Sequence, residues 1–391
     1  FLANIQRVSV PGAIFDNLQS DFLSDASKIT LLGAVFCYIY ALTQLVVGLL
    51  VDKIGGFRVI AIGAIIFALG AIIFPICNNL ALLYLSRAFL GFGAATFYLS
   101  TIREVKKYSK DKNFSLAVSY ILFIGYSGGI IANAPFVFFV GKFGWRSCLS
   151  TIGIFALVLA MVYLIALFIF KPTHIEKKTK FSLSPFVEVL SKKENINLYL
   201  FGCINYGLYY VLQSVIGKKF LEDFCYIAVD KAAIILSLMA LISAFAGTIS
   251  AFVSRCLNNR RSIIFKFFSI LSTLSVLSVC LFLILDIHTK FIALIFCIPS
   301  FIGSISPLLI LSLHVYNRYQ VSATAVAIQN FSFFMMVGFL GTISGLLMNV
   351  FVPKASESGV LVYSNNSYLL VFSVFFVLSL VEVICAYRIR D

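Results

Sequence analysis

The sequence predicts an all-α integral membrane protein of twelve transmembrane helices in two pseudo-symmetric six-helix bundles. Three observations carry that expectation. Of the 391 residues, 61% are hydrophobic and only 12% are charged, against about 45–50% apolar and about 25% charged in soluble domains. The apolar residues gather in segments of about the 20 residues that a bilayer core of roughly 30 Å demands of a helix. The longest polar connection, Lys171 to Asn197, divides those segments six from six.

Taken in order, the first segment, near 1–20, is partial. It is too short and too polar to span alone, and Phe1 is not an initiator methionine, so the start of helix 1 and an N-terminal tail are expected to precede it. Segments 29–50 and 57–77 are joined by the charged turn Gly48-Leu49-Leu50-Val51-Asp52-Lys53-Ile54-Gly55-Gly56-Phe57-Arg58, which makes them a helical hairpin with its turn at the membrane surface. Segments 79–101, 114–138 and 146–170 complete an N-terminal bundle, 1–170. The connection 171–197 carries Pro172, Glu176, Lys177, Lys178, Lys180 and Lys192, and its middle, Phe181 to Leu190, has the pattern of a short amphipathic surface helix. Segments 198–217, 232–253, 262–286, 290–313, 321–351 and 368–387 form a C-terminal bundle, 198–391. Spanning strands are excluded by length, since they run to about 9–11 residues of alternating polarity. Gly247 to Arg255, leaving helix 8, faintly repeats Gly48 to Arg58, leaving helix 2, without the Asp or the glycine turn.

The net charge of +14 reports topology, not nucleic-acid binding. Most Lys and Arg residues, such as Lys53, Arg58, Arg103, Lys106, Lys192 and Arg255, fall on the side of the Asp52 loop. Positive loops face the cytoplasm, so both termini are expected there, in a bacterial inner membrane, with the basic loops against anionic lipid. The nine cysteines are scattered through apolar segments without a Cys-x-x-Cys pair; neither a disulfide framework nor a metal site is expected. No phosphate loop, metal cluster or Ser/His/Asp arrangement stands in the chain, so no cofactor and no enzymatic chemistry are expected.

Two motifs resemble those of the major facilitator superfamily: the Gly48–Arg58 loop after helix 2, and Arg87-Ala-Phe-Leu-Gly91-Phe-Gly93-Ala94-Ala95 in helix 4. Gly125-Tyr-Ser-Gly128-Gly129 with Ala134-Pro135 is a degenerate form of the helix 5 motif, lacking the Gly-Pro pair typical of drug antiporters, and Gly144-Trp145-Arg146 is similar to the family's entry to helix 6. The resemblance implies a substrate site near the midplane between two rocking halves. It also implies a latch. Gly48 and Gly55 would permit close approach and a tight turn, and Asp52, with Lys53 and Arg58 beside it, would meet the positive end of helix 11, worth about 0.3–1 kcal/mol. Within the superfamily, Gln6-Arg7-Val8-Ser9-Val10-Pro11 with Phe36-Cys37-Tyr38-Ile39-Tyr40 and Gln44 is similar to the phagosomal nutrient transporters of intracellular bacteria, which import amino acids and nucleosides.

Ionisable groups in a bilayer cost about 2.5–3.5 kcal/mol or more, so they mark function by default. Arg7 in helix 1 is the candidate for a substrate carboxylate or phosphate, since a guanidinium binds an oxyanion bidentately. The competing reading is a structural salt bridge; Asp16 lies nine residues away, too far for a direct pair on one helix. Arg87 is read as packing against helix 1 through backbone carbonyls, with Gly91 and Gly93 allowing the approach. Asp16 is the candidate for proton coupling, against a plain solvated helix end, and Glu382 in helix 12 is read as a structural pairing. Tyr206, Tyr210 and Gln213 share a face of helix 7, and Tyr40 and Gln44 a face of helix 2; with Asn330 of helix 11 they offer an aromatic and amide lining for a small polar solute, or interhelical hydrogen bonds. The expectation is a monomeric secondary or facilitative transporter of a small polar solute: uptake of an amino acid, peptide or organic anion, by symport with protons or by uniport. Export of a metabolite or drug, and a non-transporting receptor on the same fold, are the alternatives.

Overall fold

The computed structural model describes residues 1–108, 111–171, 184–303, 305–355 and 360–391, apart from the side chains of 111–116, 118 and 119. Pro172, Glu176, Lys177, Lys178 and Lys180 of the central connection lie outside the described residues. Among those described, nine helices are long and apolar enough to cross a membrane, ten if a bent pair counts as one span. The two further spans are the most polar ones. Helix 1 is broken into Leu2–Ser9, Gly12–Ile14 and Phe15–Phe22. Helix 7, Lys193–Ser214, continues after a break as Gly217–Asp223 and carries Asn, Gln and Tyr where its neighbours carry aliphatics.

The other spans run past their apolar cores into the polar flanks. They are helix 2 (Ala26–Ile54), helix 3 (Gly56–Ile76), helix 4 (Leu80–Tyr108), helix 6 (Trp145–Phe170), helix 8 (Val229–Cys256), helix 9 (Arg261–Ile284), helix 10 (Ile292–Ile302 and Ser306–Tyr316), helix 11 (Tyr319–Met348) and helix 12 (Asn365–Arg388). Caps set two of the starts: Asp25 Oδ1 accepts from the Lys28 N–H (3.1 Å), and Ser364 Oγ from the Ser367 N–H (3.3 Å). Helix 2 stops at Gly55, whose φ of +89° is a conformation that glycine adopts without a steric penalty. The surface helix of the central connection covers Ser184–Leu190.

Helix 5 departs from the single straight span expected. It runs as Asp111–Ile131 and Ala134–Phe143, bent by 47°. Pro135 has no N–H to give and crowds the preceding turn. The freed groups are taken up by Ser237 of helix 8, which accepts from the Ala134 N–H (2.9 Å) and donates to the Ile130 carbonyl (3.3 Å).

Helices 3 and 6 lie outside helices 2 and 4, and helix 6 leaves Phe155, Ile165, Phe168 and Phe170 exposed. An exposed apolar strip of that length belongs against lipid tails. The far ends are tied by Gly144-Trp145-Arg146: Trp145 Nε1 donates to Asp21 Oδ2 (3.0 Å), and Arg146 donates to the carbonyls of Pro75 (2.9 Å) and Cys77 (3.0 Å).

The N-terminal bundle is organised by Arg87, which is fully buried. Its Nε donates to the Leu32 carbonyl of helix 2 (2.9 Å), Nη1 to Gln6 (2.9 Å) and Nη2 to Val10 (3.2 Å) of helix 1. The guanidinium also lies over the Phe36 ring at 4.7 Å. Pro11 ends the first piece of helix 1, and the last carbonyls of a helix have no partner of their own; Arg87 supplies two of them. A Cβ on Gly91 would stand 2.6 Å from the Phe36 carbonyl, and one on Gly93 2.5 Å from the Gly63 carbonyl, so these glycines let helix 4 lie directly against helices 2 and 3. Arg87→Ala should lower stability by about 2–4 kcal/mol, since charge-assisted hydrogen bonds contribute roughly 1.5–3 kcal/mol each. Thermal unfolding in detergent checks this; an unchanged midpoint would contradict the clamp.

Candidate functional site

The break in helix 1 turns Arg7 toward the junction of the two halves. Its guanidinium carbon sits 5.1 Å from the Tyr210 ring centre and 5.2 Å from that of Phe334, a stacked geometry that arginine favours. Nη2 donates to Asn4 Oδ1, and Asn4 Nδ2 donates to the Gly125 carbonyl of helix 5 (2.6 Å). The Nε–H is buried without a partner, as is the Tyr210 hydroxyl. A buried unpaired donor on a cation is costly, and an oxyanion would relieve it.

Around Arg7 stands an aromatic wall. Tyr40 lies 4.2 Å from Phe334 between ring centres, and Tyr206 lies 5.6 Å from Tyr210 and 4.8 Å from Phe333. Below it Asn330 Nδ2 donates to Gln44 Oε1 (2.5 Å), joining helices 11 and 2, while Gln44 Nε2 has no partner. Arg7, Tyr40, Tyr206 and Tyr210 are therefore one cluster, with Gln44 and Asn330 as its floor. Gln213 is buried a turn beyond Tyr210, next to Ser214, whose carbonyl would stand 2.5 Å from a Cβ on Gly12. Asp16 lies elsewhere, in an ion-pair cluster at the far end of the molecule from the Asp52 loop. Lys219 Nζ is 2.9 Å from Asp16 Oδ1 and 3.0 Å from Asp223 Oδ1; Lys218 Nζ is 3.8 Å from Asp16 Oδ2 and 2.8 Å from Glu222 Oε1. Gln19 Nε2 donates to the Tyr363 hydroxyl (2.7 Å) in the same region. Tyr363 follows the short antiparallel ribbon of Lys354–Ala355 and Leu361–Val362.

Contacts between the halves extend from this far face inward. A Cβ on Gly345 would overlap Thr30 Oγ1 and come within 2.9 Å of the Ala26 carbonyl, and the Tyr38 hydroxyl lies 3.1 Å from Thr342 Oγ1. They continue down to Gln44–Asn330. One turn on, a Cβ on Gly48 would meet nothing within 4 Å. The close helix approach expected at Gly48 is thus not made here; its carbonyl instead accepts from Arg103 Nη1 (3.1 Å). Asp52 pairs with the same Arg103, on helix 4 of its own half. Lys53 is exposed and Arg58 follows the Gly55 turn at the start of helix 3.

Sequence reasoning missed Asn4, Phe333 and Phe334, which carry no signal apart from lying near polar helix faces. It also missed the burial of Lys218 and Lys219, 3% and 2% exposed. The spacing Lys218–Glu222 and Lys219–Asp223, four apart on one helix, was the available signal.

Comparison with known proteins agrees with this architecture. A family model described as the Major Facilitator Superfamily matches residues 1–342. The sodium-dependent phosphate transport protein 1 of Arabidopsis thaliana chloroplasts is 27% identical over 154 residues, 39% of this chain and 30% of that protein. The ascorbate transporter of the same organelle is 27% identical over 154 residues, 39% of this chain and 28% of that protein. The quinolone resistance protein NorB of Staphylococcus aureus (strain bovine RF122 / ET3-1) is 29% identical over 173 residues, 43% of this chain and 35% of that protein. The match thus spans about a third of the length of these relatives. Among solved structures, a bacterial homologue of the human lysosomal transporter Spinster superposes with a TM-score of 0.73 at 14% identity, over 99% of this chain and 94% of that one. A D-xylose–proton symporter gives 0.74 at 10% identity over the same shares. With its family model, its two bundles and its solved structural neighbours in agreement, the chain belongs to the major facilitator superfamily.

Proposed function

We propose that this chain carries a small anion, an amino acid, peptide or other organic anion, across the membrane by alternating access, with Arg7 as the anchor of its charge. The observation that carries the reading is the unpaired Nε–H of Arg7 between the rings of Tyr210 and Phe334, at the junction of the halves. The aromatic rings hold the guanidinium plane and its free edge is the bidentate face. Tyr40, Tyr206 and the Gln44–Asn330 pair give the solute neutral polar partners. The relatives named for phosphate and ascorbate support an anionic solute; the NorB relative keeps export as the second reading.

Taking the basic face as cytoplasmic, the halves are pinned on the outer side and part toward the cytoplasm. The ion pairs of Asp16 with Lys218 and Lys219 are then outer-gate contacts that must break for the opposite state to form. Asp52 resides with Arg103 in this state. In the opposite state the N-terminus of helix 11 at Tyr319 becomes its partner, as a carboxylate near a positive helix end is favoured by about 0.3–1 kcal/mol.

Two outcomes follow. Arg7→Ala in proteoliposomes should weaken uptake of labelled carboxylates by about 10–100-fold in apparent affinity, the worth of a charge-assisted bond of roughly 1.5–3 kcal/mol; unchanged affinity and anion selectivity would sink the anchor. Asp52→Asn should slow net flux several-fold while the same ligand still binds. Loss of binding with normal cycling would put Asp52 in the wrong place.

A further inference from the structure

The C-terminal bundle holds a second ionisable group that neither the site nor the gates use. Glu382 of helix 12 is wholly inaccessible. Its Oε1 accepts from Asn205 Nδ2 of helix 7 at 2.8 Å. Two buried acceptors on this same pair of side chains, Glu382 Oε2 and Asn205 Oδ1, have no hydrogen-bond partner. Turning the amide over exchanges its ends but adds no donor to the pair. Both are acceptors, so the pair is short of a hydrogen.

We propose that Glu382 is a proton-binding site, carrying a resident proton at neutral pH that completes an acid–amide pair with Asn205 and clasps helix 12 to helix 7. With the proton on Oε2, the carboxylic acid becomes a donor beside a residue whose own Oδ1 is an unpaired acceptor, and Asn205 still donates to Oε1. The alternative is a bare carboxylate in the bundle interior with only neutral groups, the Asn205 amide and the Ser272 hydroxyl, beside it. That is the arrangement that burial penalises most, by several kcal/mol for an uncompensated ion.

Among the described residues no cation is within ion-pair distance of the carboxyl. Ser272 of helix 9 stands beside the carboxyl, and the thiols of Cys203 on helix 7 and Cys385 on helix 12 are its titratable neighbours. Helix 11, the remaining element packed on helix 12, has no charged residue between Tyr319 and Met348. Lys266 of helix 9 lies over the Tyr387 ring at 5.4 Å, five residues on from Glu382, and Arg388 lies at the helix end.

The clasp sits one residue from Tyr206, on the helix that builds the Arg7 cluster. Any shift of helix 7 that pulls Asn205 off Glu382 leaves a buried acid without its partner, and release of the proton leaves a buried charge. Protonation and the position of helix 7 are therefore linked, whatever solute crosses.

Infrared spectroscopy of the full chain in phosphatidylcholine vesicles tests the assignment. At neutral pH the wild type should show a protonated-carboxyl carbonyl band that is lost in Glu382→Gln, a variant whose amide supplies the same donor. Asn205→Ala, which keeps the acid but removes its partner, should shift that band. Loss of a carboxylate stretch in place of the acid band in Glu382→Gln would overturn the proposal. Should Glu382→Gln fail to fold, Asn205→Ala decides alone: a shifted acid band supports the clasp, and an unshifted spectrum removes it.

Discussion

Arg87 ties together three chain segments that have no other reason to meet. Its guanidinium occupies a carbonyl of helix 2 and two carbonyls at the end of the first piece of helix 1, with each of its three nitrogens donating to backbone. Burying a cation so completely is expensive unless each hydrogen finds an oxygen, and Pro11 is what leaves oxygens free. The proline, the arginine and the glycines at 91 and 93 are one device: the proline opens helix 1, the arginine holds it open, and the glycines bring helix 4 close enough to do so. Everything placed by helix 1 follows from it. Arg7 faces the other half, Gly12 rests on the Ser214 carbonyl, and Asp16 reaches Lys219.

The contacts within a half and those between halves differ in emphasis. Within a half, helices meet through glycines and apolar packing, with polar bonds to backbone, as at Arg87, and between side chains, as at Trp145–Asp21 and Asn205–Glu382. Between halves the contacts are side-chain polar groups and small residues: Asp16 with Lys218 and Lys219, Gln19 with Tyr363, Gln44 with Asn330, Tyr38 with Thr342. The ammonium groups of Lys218 and Lys219 are buried, so parting them from Asp16 costs several kcal/mol unless Glu222 and Asp223, already at 2.8 and 3.0 Å, or entering water take over their charge. Ser237 belongs to this second kind: it repairs the helix 5 break from across the boundary.

Much of this was legible in the chain. Segment length and apolarity marked the spans, because a bilayer imposes both. The Arg87 motif could be read as a packing device because a lone arginine among glycines in a membrane needs backbone partners. What stayed hidden depends on tertiary placement. Lys218 and Lys219 stand just past the apolar segment 198–217, and only the break of helix 7 folds them inward over Asp16. Gly48 read as a close contact, but a Cβ there would meet nothing within 4 Å. Phe334 has no polar signature; its role comes from standing opposite Tyr210 with a guanidinium between them. Helix 5 read as one span because its proline lies well inside an apolar run.

An anion site built around Arg7 at the junction of the halves has a direct thermodynamic signature. The most direct measurement is the thermal stability of the purified protein against paired ligands: carboxylates, phosphates and amino acids beside uncharged analogues of the same size. A ligand that binds only the folded state raises apparent stability by RT ln(1 + [L]/Kd). Anionic members of one chemical class should stabilise the protein and their neutral analogues should not. Equal stabilisation by the neutral analogues, or stabilisation only by cationic or uncharged hydrophobic compounds, would contradict it.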